Sequence, residues 1–139
     1  MIIGKIKDGI VLDHISAGYG MELYRILGLD KLDCEVALIK NASSVKMGKK
    51  DIIKINRLID VNLEAIGYVD SGITVNIIEN GVRVDHYKIG LPETITNIIK
   101  CKNPRCITTV EQEVDHVFIL TDPEHRTYRC IYCESKAGI

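Results

Sequence analysis

Four cysteines near the C-terminus form two closely spaced pairs. Cys101 and Cys106 are separated by four residues, and Cys130 and Cys133 are separated by two. Each pair can fold into a knuckle that offers two thiolates to one ion, and two knuckles complete a tetrahedral zinc site. Because four sulfur ligands leave no coordination position for water, the spacing predicts one structural Zn²⁺ per chain.

Two other interpretations of these cysteines are weaker. Four unrelated buried thiols would not need such regular spacing, and a redox pair at Cys130 and Cys133 would leave the other two cysteines unexplained. The fifth cysteine, Cys34, lies in a predicted strand, where a small apolar core residue is the ordinary interpretation. The metal site therefore remains the favoured interpretation of the cluster.

Composition and charge exclude several classes of protein. The 139 residues carry 18 Lys+Arg against 19 Asp+Glu, and 46% of them are hydrophobic. This balance argues against a cationic nucleic-acid-binding arm and against an acidic disordered tail. We find no run of 18 apolar residues and no signal-peptide pattern at the start, so we expect a cytoplasmic protein without a membrane span.

The elements that precede the cysteines alternate between strands and helices. The isoleucine-rich segment 50–59 fits a helix by spacing, but its β-branched residues favour a strand. Asn80-Gly81 is a strong hairpin signal. The predicted elements are strand pieces within 2–12, a helix over 17–27 capped by Ser16 and closed by Gly28, a strand over 34–40, a loop over 41–44, a strand over 50–59, a helix over 60–68, and hairpin strands over 73–78 and 82–89.

This order of elements predicts an α+β protein with two domains. The order β-α-β-β-α-β with an extra hairpin strand predicts a ferredoxin-like α/β sandwich over residues 1–93. We expect a short linking helix over 93–100, then brief strands over 113–120 and 127–131. Residues 94–139 are therefore predicted to form a small β-rich zinc domain, which needs the metal because so short a segment buries little surface.

Five segments spread over nearly the whole chain carry a resemblance to a known family. They are Gly-Ile-Val-Leu-Asp-His-Ile at 9–15, Met-Gly-Lys-Lys-Asp-Ile-Ile-Lys-Ile at 47–55, Thr-Val-Asn-Ile-Ile at 74–78, Leu-Pro-Glu at 91–93, and Cys-Lys-Asn-Pro-Arg-Cys-Ile-Thr at 101–108. Together with the C-terminal cysteine pair, and in this order, they resemble the regulatory chain of aspartate carbamoyltransferase.

The resemblance implies a noncatalytic regulatory subunit. In the family, the N-terminal domain binds nucleoside triphosphates and pairs with a second regulatory chain, and the zinc domain contacts the catalytic chains. Two catalytic trimers and three regulatory dimers then form a hetero-dodecamer. The resemblance further implies that CTP, UTP and ATP adjust the first committed step of pyrimidine biosynthesis, with no part for nucleic acid or membrane.

The resemblance also implies a set of nucleotide-binding residues. An acidic residue at the ribose and several cations at the phosphates are the chemistry that such a ligand needs. The corresponding residues in this sequence are Ile3, Ile6, Asp13, His14, Lys50, Lys54 and Asn76. The family places a phosphate-binding lysine at the position that His86 occupies here, and Lys88 is a candidate to replace it.

Two rival functions belong to other classes. Four-cysteine zinc ribbons often bind nucleic acid, but residues 101–139 carry five Lys+Arg against six Asp+Glu and lack an aromatic and basic stripe. A zinc hydrolase needs an open coordination position, which four cysteine ligands do not leave. The regulatory-chain interpretation therefore leads, with the nucleic-acid adaptor as the alternative.

Overall fold

The computed structural model describes residues 7–137. The chain divides into two compact units, residues 1–90 and residues 91–139. The elements of the first unit are β1 (Gly9–Ser16), α1 (Gly20–Ile26), a 3-10 turn (Leu29–Lys31), β2 (Val36–Ser44), β3 (Gly48–Ile55), α2 (Leu63–Val69), β4 (Thr74–Glu79) and β5 (Val82–Lys88). Those of the second are β6 (Thr94–Thr96), α3 (Ile107–Val110), β7 (Val117–Asp122) and β8 (Thr127–Cys130).

The first unit is a five-stranded antiparallel sheet with the spatial order β2-β3-β1-β4-β5. Strand alternation sends Ile53 and Ile55 to one face, where they are fully buried against Leu23 of α1 and Ile66 of α2. The opposite face carries Lys50 and Lys54 of β3 and Thr74 and Asn76 of β4. The predicted ferredoxin-like sandwich with one extra hairpin strand is confirmed.

The hairpin between β4 and β5 turns where the sequence predicted. Asn80 and Gly81 both have positive φ, 53° and 77°, as a two-residue type I′ turn requires. Gly28 also adopts the left-handed conformation just after α1, at φ 66°, and so ends the helix as expected.

Three predicted elements of the first unit are wrong in detail. Ser16 is not a helix cap, because β1 continues to Ser16 and the backbone N–H of Ser16 is bound by Asp70 Oδ2 at 2.8 Å. The helix begins only at Gly20, with Tyr19 at the N-cap position. The predicted loop over 41–44 belongs to β2, because an irregularity at Asn41, with φ 58°, lets the pairing with β3 resume at Ala42.

The second unit is a three-stranded antiparallel sheet, β6-β7-β8, with the short helix α3. Up to residue 137, where the description of this unit ends, its buried hydrophobic side chains other than the cysteines are Ile95, Phe118 and Tyr128. The linking helix predicted over 93–100 is wrong: residues 94–96 form β6, and Ile95 pairs with Phe118 of β7. Within the described residues, no helix is both long and apolar enough to span a membrane.

Candidate functional site

The sulfur atoms of the four C-terminal cysteines meet at one point of the second unit. All four lie within 4.8 Å of one another. Cys101 Sγ is 3.5 Å from Cys133 Sγ, and Cys106 Sγ is 3.7 Å from Cys130 Sγ. A tetrahedral ion with Zn–S bonds of about 2.3 Å separates its sulfurs by about 3.8 Å. The cluster therefore fits one structural zinc ion, as the cysteine spacing predicted.

Backbone N–H groups point at all four of these sulfurs from two residues further along the chain. Cys101 accepts from Asn103, Cys106 from Thr108, Cys130 from Tyr132, and Cys133 from Ser135. Hydrogen bonds of this kind stabilise a thiolate and orient it toward a cation. The turn after each cysteine thus forms the predicted knuckle. Every residue except proline has a backbone N–H, so these bonds leave no signal in the sequence.

The thiols differ in how readily they lose a proton. Burial raises the pKa of Cys101 to about 12. A hydrogen bond from the Ser135 side chain lowers the pKa of Cys133 to about 6. The hydroxyl of Thr108, 3.1 Å from Cys106 Sγ, likewise lowers the pKa of Cys106. A bound divalent cation favours thiolates at every position and so opposes the effect of burial on Cys101.

His116 also positions the cluster, and sequence analysis missed it. Its Nδ1 lies 3.0 Å from the backbone nitrogen of Cys101 and accepts that hydrogen bond. Asn97 holds His116 in turn through two hydrogen bonds. The side-chain Oδ1 of Asn97 accepts from the backbone N–H of His116 at 2.9 Å. The backbone N–H of Asn97 donates to the backbone carbonyl of His116 at 2.7 Å. The loop of Cys101 is therefore anchored to the start of β7.

In the first unit, three predicted nucleotide residues form one row across the sheet. Val11 on β1 pairs with Lys54 on β3 and with Asn76 on β4, and Asn76 pairs with His86 on β5. Directly opposite residues share a face of the sheet, so these side chains project on the side away from the core. His86 Nδ1 lies 3.1 Å from Asn76 Oδ1.

A second group lies beside this row, where β1 carries a bulge. The pairing of β1 with β3 shifts by one residue between Leu12 and Ile15, and His14 has φ 59°. Asp13 Oδ1 accepts from Lys50 Nζ at 2.9 Å, and His14 Nδ1 lies 3.1 Å from Thr74 Oγ1. Asp13 and His14 lie between the strand pieces predicted within 2–12 and the predicted helix, but in the structure both belong to β1.

The ion pair affects the acidity of Asp13. Partial burial opposes ionisation, but the hydrogen bonds from Lys50 and from the His14 backbone outweigh it, so the pKa of Asp13 falls below its usual 3.8. Lys88 lies on the same face, since it pairs with Thr74, which pairs with Asp13. Ile3 and Ile6 lie outside the described residues.

Asp51 is a buried carboxylate on the opposite, core-side face of β3, and sequence analysis did not single it out. Its side chain accepts three backbone N–H groups, from Gly18 at 3.1 Å, Gly20 at 3.0 Å and Asn41 at 3.0 Å. Asp51 thereby ties the start of α1 and the irregular point of β2 to β3. The neighbouring residue, Lys50, projects on the other face toward Asp13.

Comparison with known proteins agrees with both halves of this architecture. Residues 1–90 match the family model of the aspartate carbamoyltransferase regulatory chain, allosteric domain, and residues 93–138 match that of the metal binding domain of the same chain. A regulatory chain of Clostridium botulinum is 48% identical over 134 residues, covering 96% of this chain and 92% of that one.

Two further relatives carry the same description. The regulatory chain of Clostridium tetani is 47% identical over 135 residues, covering 96% of this chain and 94% of that one. The regulatory chain of Bifidobacterium longum is 39% identical over 139 residues and is covered completely, as is this chain. The chain therefore belongs to the aspartate carbamoyltransferase regulatory chains, a noncatalytic family that joins an allosteric domain to a metal-binding domain.

Proposed function

We propose that the first unit binds nucleoside triphosphates and that this binding adjusts the activity of an aspartate carbamoyltransferase. The observation that carries the proposal is the clustering of Asp13, His14, Lys50, Lys54 and Asn76 on one face of the sheet, away from the core. In this proposal residues 1–93 are the nucleotide-binding allosteric domain, with CTP, UTP and ATP as ligands. Ile3 and Ile6 supply apolar walls for the base.

The charges on this face divide into two roles. Lys50 is paired with Asp13, and this pair can meet a ribose through the carboxylate, which accepts hydrogen bonds from hydroxyls. Lys54 lies four residues after Lys50 on β3 and pairs with Val11 of β1. Within residues 7–137 it forms no ion pair. An ammonium without an acidic partner keeps its charge and its donors available for a phosphate. We therefore assign Lys54 to the phosphates.

Titration calorimetry of CTP, UTP and ATP against the zinc-loaded chain tests the proposal. We expect Lys54→Ala to weaken binding by about 10- to 150-fold, as the loss of a charge-assisted hydrogen bond of about 1.5–3 kcal/mol implies. Lys49→Ala is the matched control, because Lys49 is exposed on the same strand and alternates to the other face. Absence of heat with all three nucleotides would refute nucleotide binding, and equal affinity of both variants would remove Lys54 from the site.

We further propose that the second unit, residues 94–139 in the predicted division, contacts the catalytic chain. Support comes from its metal-binding family match and from exposed apolar side chains around the cysteine cluster, namely Ile107, Val110, Ile131 and Tyr132. The assembly is the cytoplasmic hetero-dodecamer of two catalytic trimers and three regulatory dimers, which catalyses the first committed step of pyrimidine biosynthesis. Regulatory chains pair through the N-terminal unit.

Thiol modification that releases zinc tests this second role. We expect the modified chain to dissociate from the catalytic trimers in gel filtration, because the knuckles lose the ion that folds them. Co-migration of the zinc-free chain with the catalytic chain would show that the metal-folded unit is not the contact.

A further inference from the structure

Strand β5 contains a bulge next to Asn76. His86 pairs with Asn76 and Asp85 pairs with Ile77, but the next residue of β4, Ile78, pairs with Arg83. Val84 is thus an extra residue on β5. Such bulges re-aim the side chains that follow them and are frequent beside functional sites.

The bulge decides which face Arg83 occupies. In an uninterrupted ladder Arg83 would alternate with His86 and share the core-side face with Asp85 and Tyr87. With Val84 inserted, Arg83 shares the face of Ile78 and Asn76 instead. The distances agree, since Arg83 Nη1 donates to Asn76 Oδ1 at 3.4 Å.

Arg83 and His86 therefore converge on one oxygen atom. His86 Nδ1 lies 3.1 Å from the same Asn76 Oδ1. Because both side chains reach the same amide oxygen, both can also reach a stronger acceptor, such as a phosphate oxygen, bound next to it. Arg83 is exposed on an edge strand, and within residues 7–137 no carboxylate forms an ion pair with it.

We propose that Arg83 is a phosphate-binding residue of the nucleotide site and supplies the permanent positive charge that His86 lacks. The inference rests on the proposed nucleotide binding and adds a residue to it. A guanidinium is always charged and presents a planar fork of donors that suits phosphate oxygens. An imidazole offers one such donor when it is neutral.

Lys88, the replacement considered from the sequence, is placed less well for this role. It pairs with Thr74, at the end of the face where Asp13 and His14 lie. Arg83 instead reaches the atom that His86 contacts. The bulge that brings it there depends on the pairing of β4 with β5, so residue spacing along the sequence does not indicate it.

Calorimetry with CTP and ATP on the zinc-loaded full chain tests the assignment. We expect Arg83→Gln to lower the affinity for both nucleotides by about 10-fold, because CTP and ATP share the triphosphate. Arg25→Gln is the matched control: it removes the same charge from an exposed residue of α1, which packs on the opposite face. Lys88→Gln should have the smaller effect of the two β5 variants.

Three results would overturn the proposal, and they are distinguishable. Affinity of Arg83→Gln within about twofold of the wild type, with the wild type binding normally, removes Arg83 from the site. A loss confined to CTP or to ATP assigns Arg83 to the base instead of the phosphates. Absence of binding by the wild type refutes nucleotide binding itself, and this inference with it.

Discussion

Replacing Asp51 by asparagine should destabilise the first unit markedly. The carboxylate is fully buried, and its two oxygens accept from three backbone N–H groups: Oδ2 from Gly18 and Gly20, and Oδ1 from Asn41. An amide keeps one oxygen and replaces the other by a donor. Whichever way the introduced amide turns, at least one backbone N–H is left facing another donor.

The expected cost follows from the number of bonds lost. A buried donor without an acceptor costs about 1–3 kcal/mol. If the amide oxygen faces Gly18 and Gly20, only Asn41 loses its acceptor, so Asp51→Asn should lower the free energy of unfolding by about 1–3 kcal/mol. Asp51→Ala removes both acceptor oxygens, and with them all three hydrogen bonds, and should cost more by the same reasoning.

Urea unfolding followed by far-ultraviolet circular dichroism, together with hydrogen exchange of residues 17–26, measures this effect. Asp60→Asn is the matched control, since Asp60 is exposed. Faster exchange at the start of α1 in Asp51→Asn, and not in the control, is the expected result. Equal stability of the two variants, within about 0.5 kcal/mol, would contradict the role assigned to Asp51.

Three further predictions concern metal, pH and packing. Chelation of zinc should unfold residues 91–139 and leave the exchange protection of residues 1–90 intact, and simultaneous unfolding of both would contradict this independence. The pKa of Asp13 is below 3.8 in the folded chain, so the stabilisation by its ionised form is complete well above pH 3.8 and is lost as the pH falls through the pKa of the folded state. Asp13→Asn should therefore reduce the loss of stability at acid pH, measured by urea unfolding over a series of pH values. Gly20→Ala should cost about 1–3 kcal/mol in urea unfolding, since the added Cβ would lie 2.8 Å from Asp51 Oδ2, and unchanged stability would show that the carboxylate moves freely.

Patterns within short segments of the sequence predicted the features of the fold that neighbouring residues determine, such as strand alternation and turns. Once segment 50–59 is assigned to a strand, strand alternation puts Asp51 and Ile53 on one face and Lys50 and Lys54 on the other, and the burial agrees. The Asn80-Gly81 turn was equally predictable, because its positive φ angles suit few other residue pairs. The cysteine spacing likewise indicated the cluster before any fold was known.

The errors arise where distant residues decide the local structure. Ser16 has the chemistry of a helix cap, yet its pairing with Lys50 and the hydrogen bond that its backbone N–H donates to Asp70 keep it in β1. Residues 94–96 could continue a helix, but Ile95 is buried in pairing with β7. The bulges at Asp13–His14 and at Val84 belong to pairs of strands, so a single segment carries no signal for them.

Co-expression with an aspartate carbamoyltransferase catalytic chain is the most direct test of the regulatory role. Native mass measurement, with activity assayed with and without CTP, UTP and ATP, reports assembly and regulation in one preparation. We expect a complex larger than a catalytic trimer, with an activity that at least one nucleotide shifts, and we expect Lys54→Ala to lose that shift while keeping the complex. A catalytic trimer that runs alone, with an activity indifferent to all three nucleotides, would contradict the account.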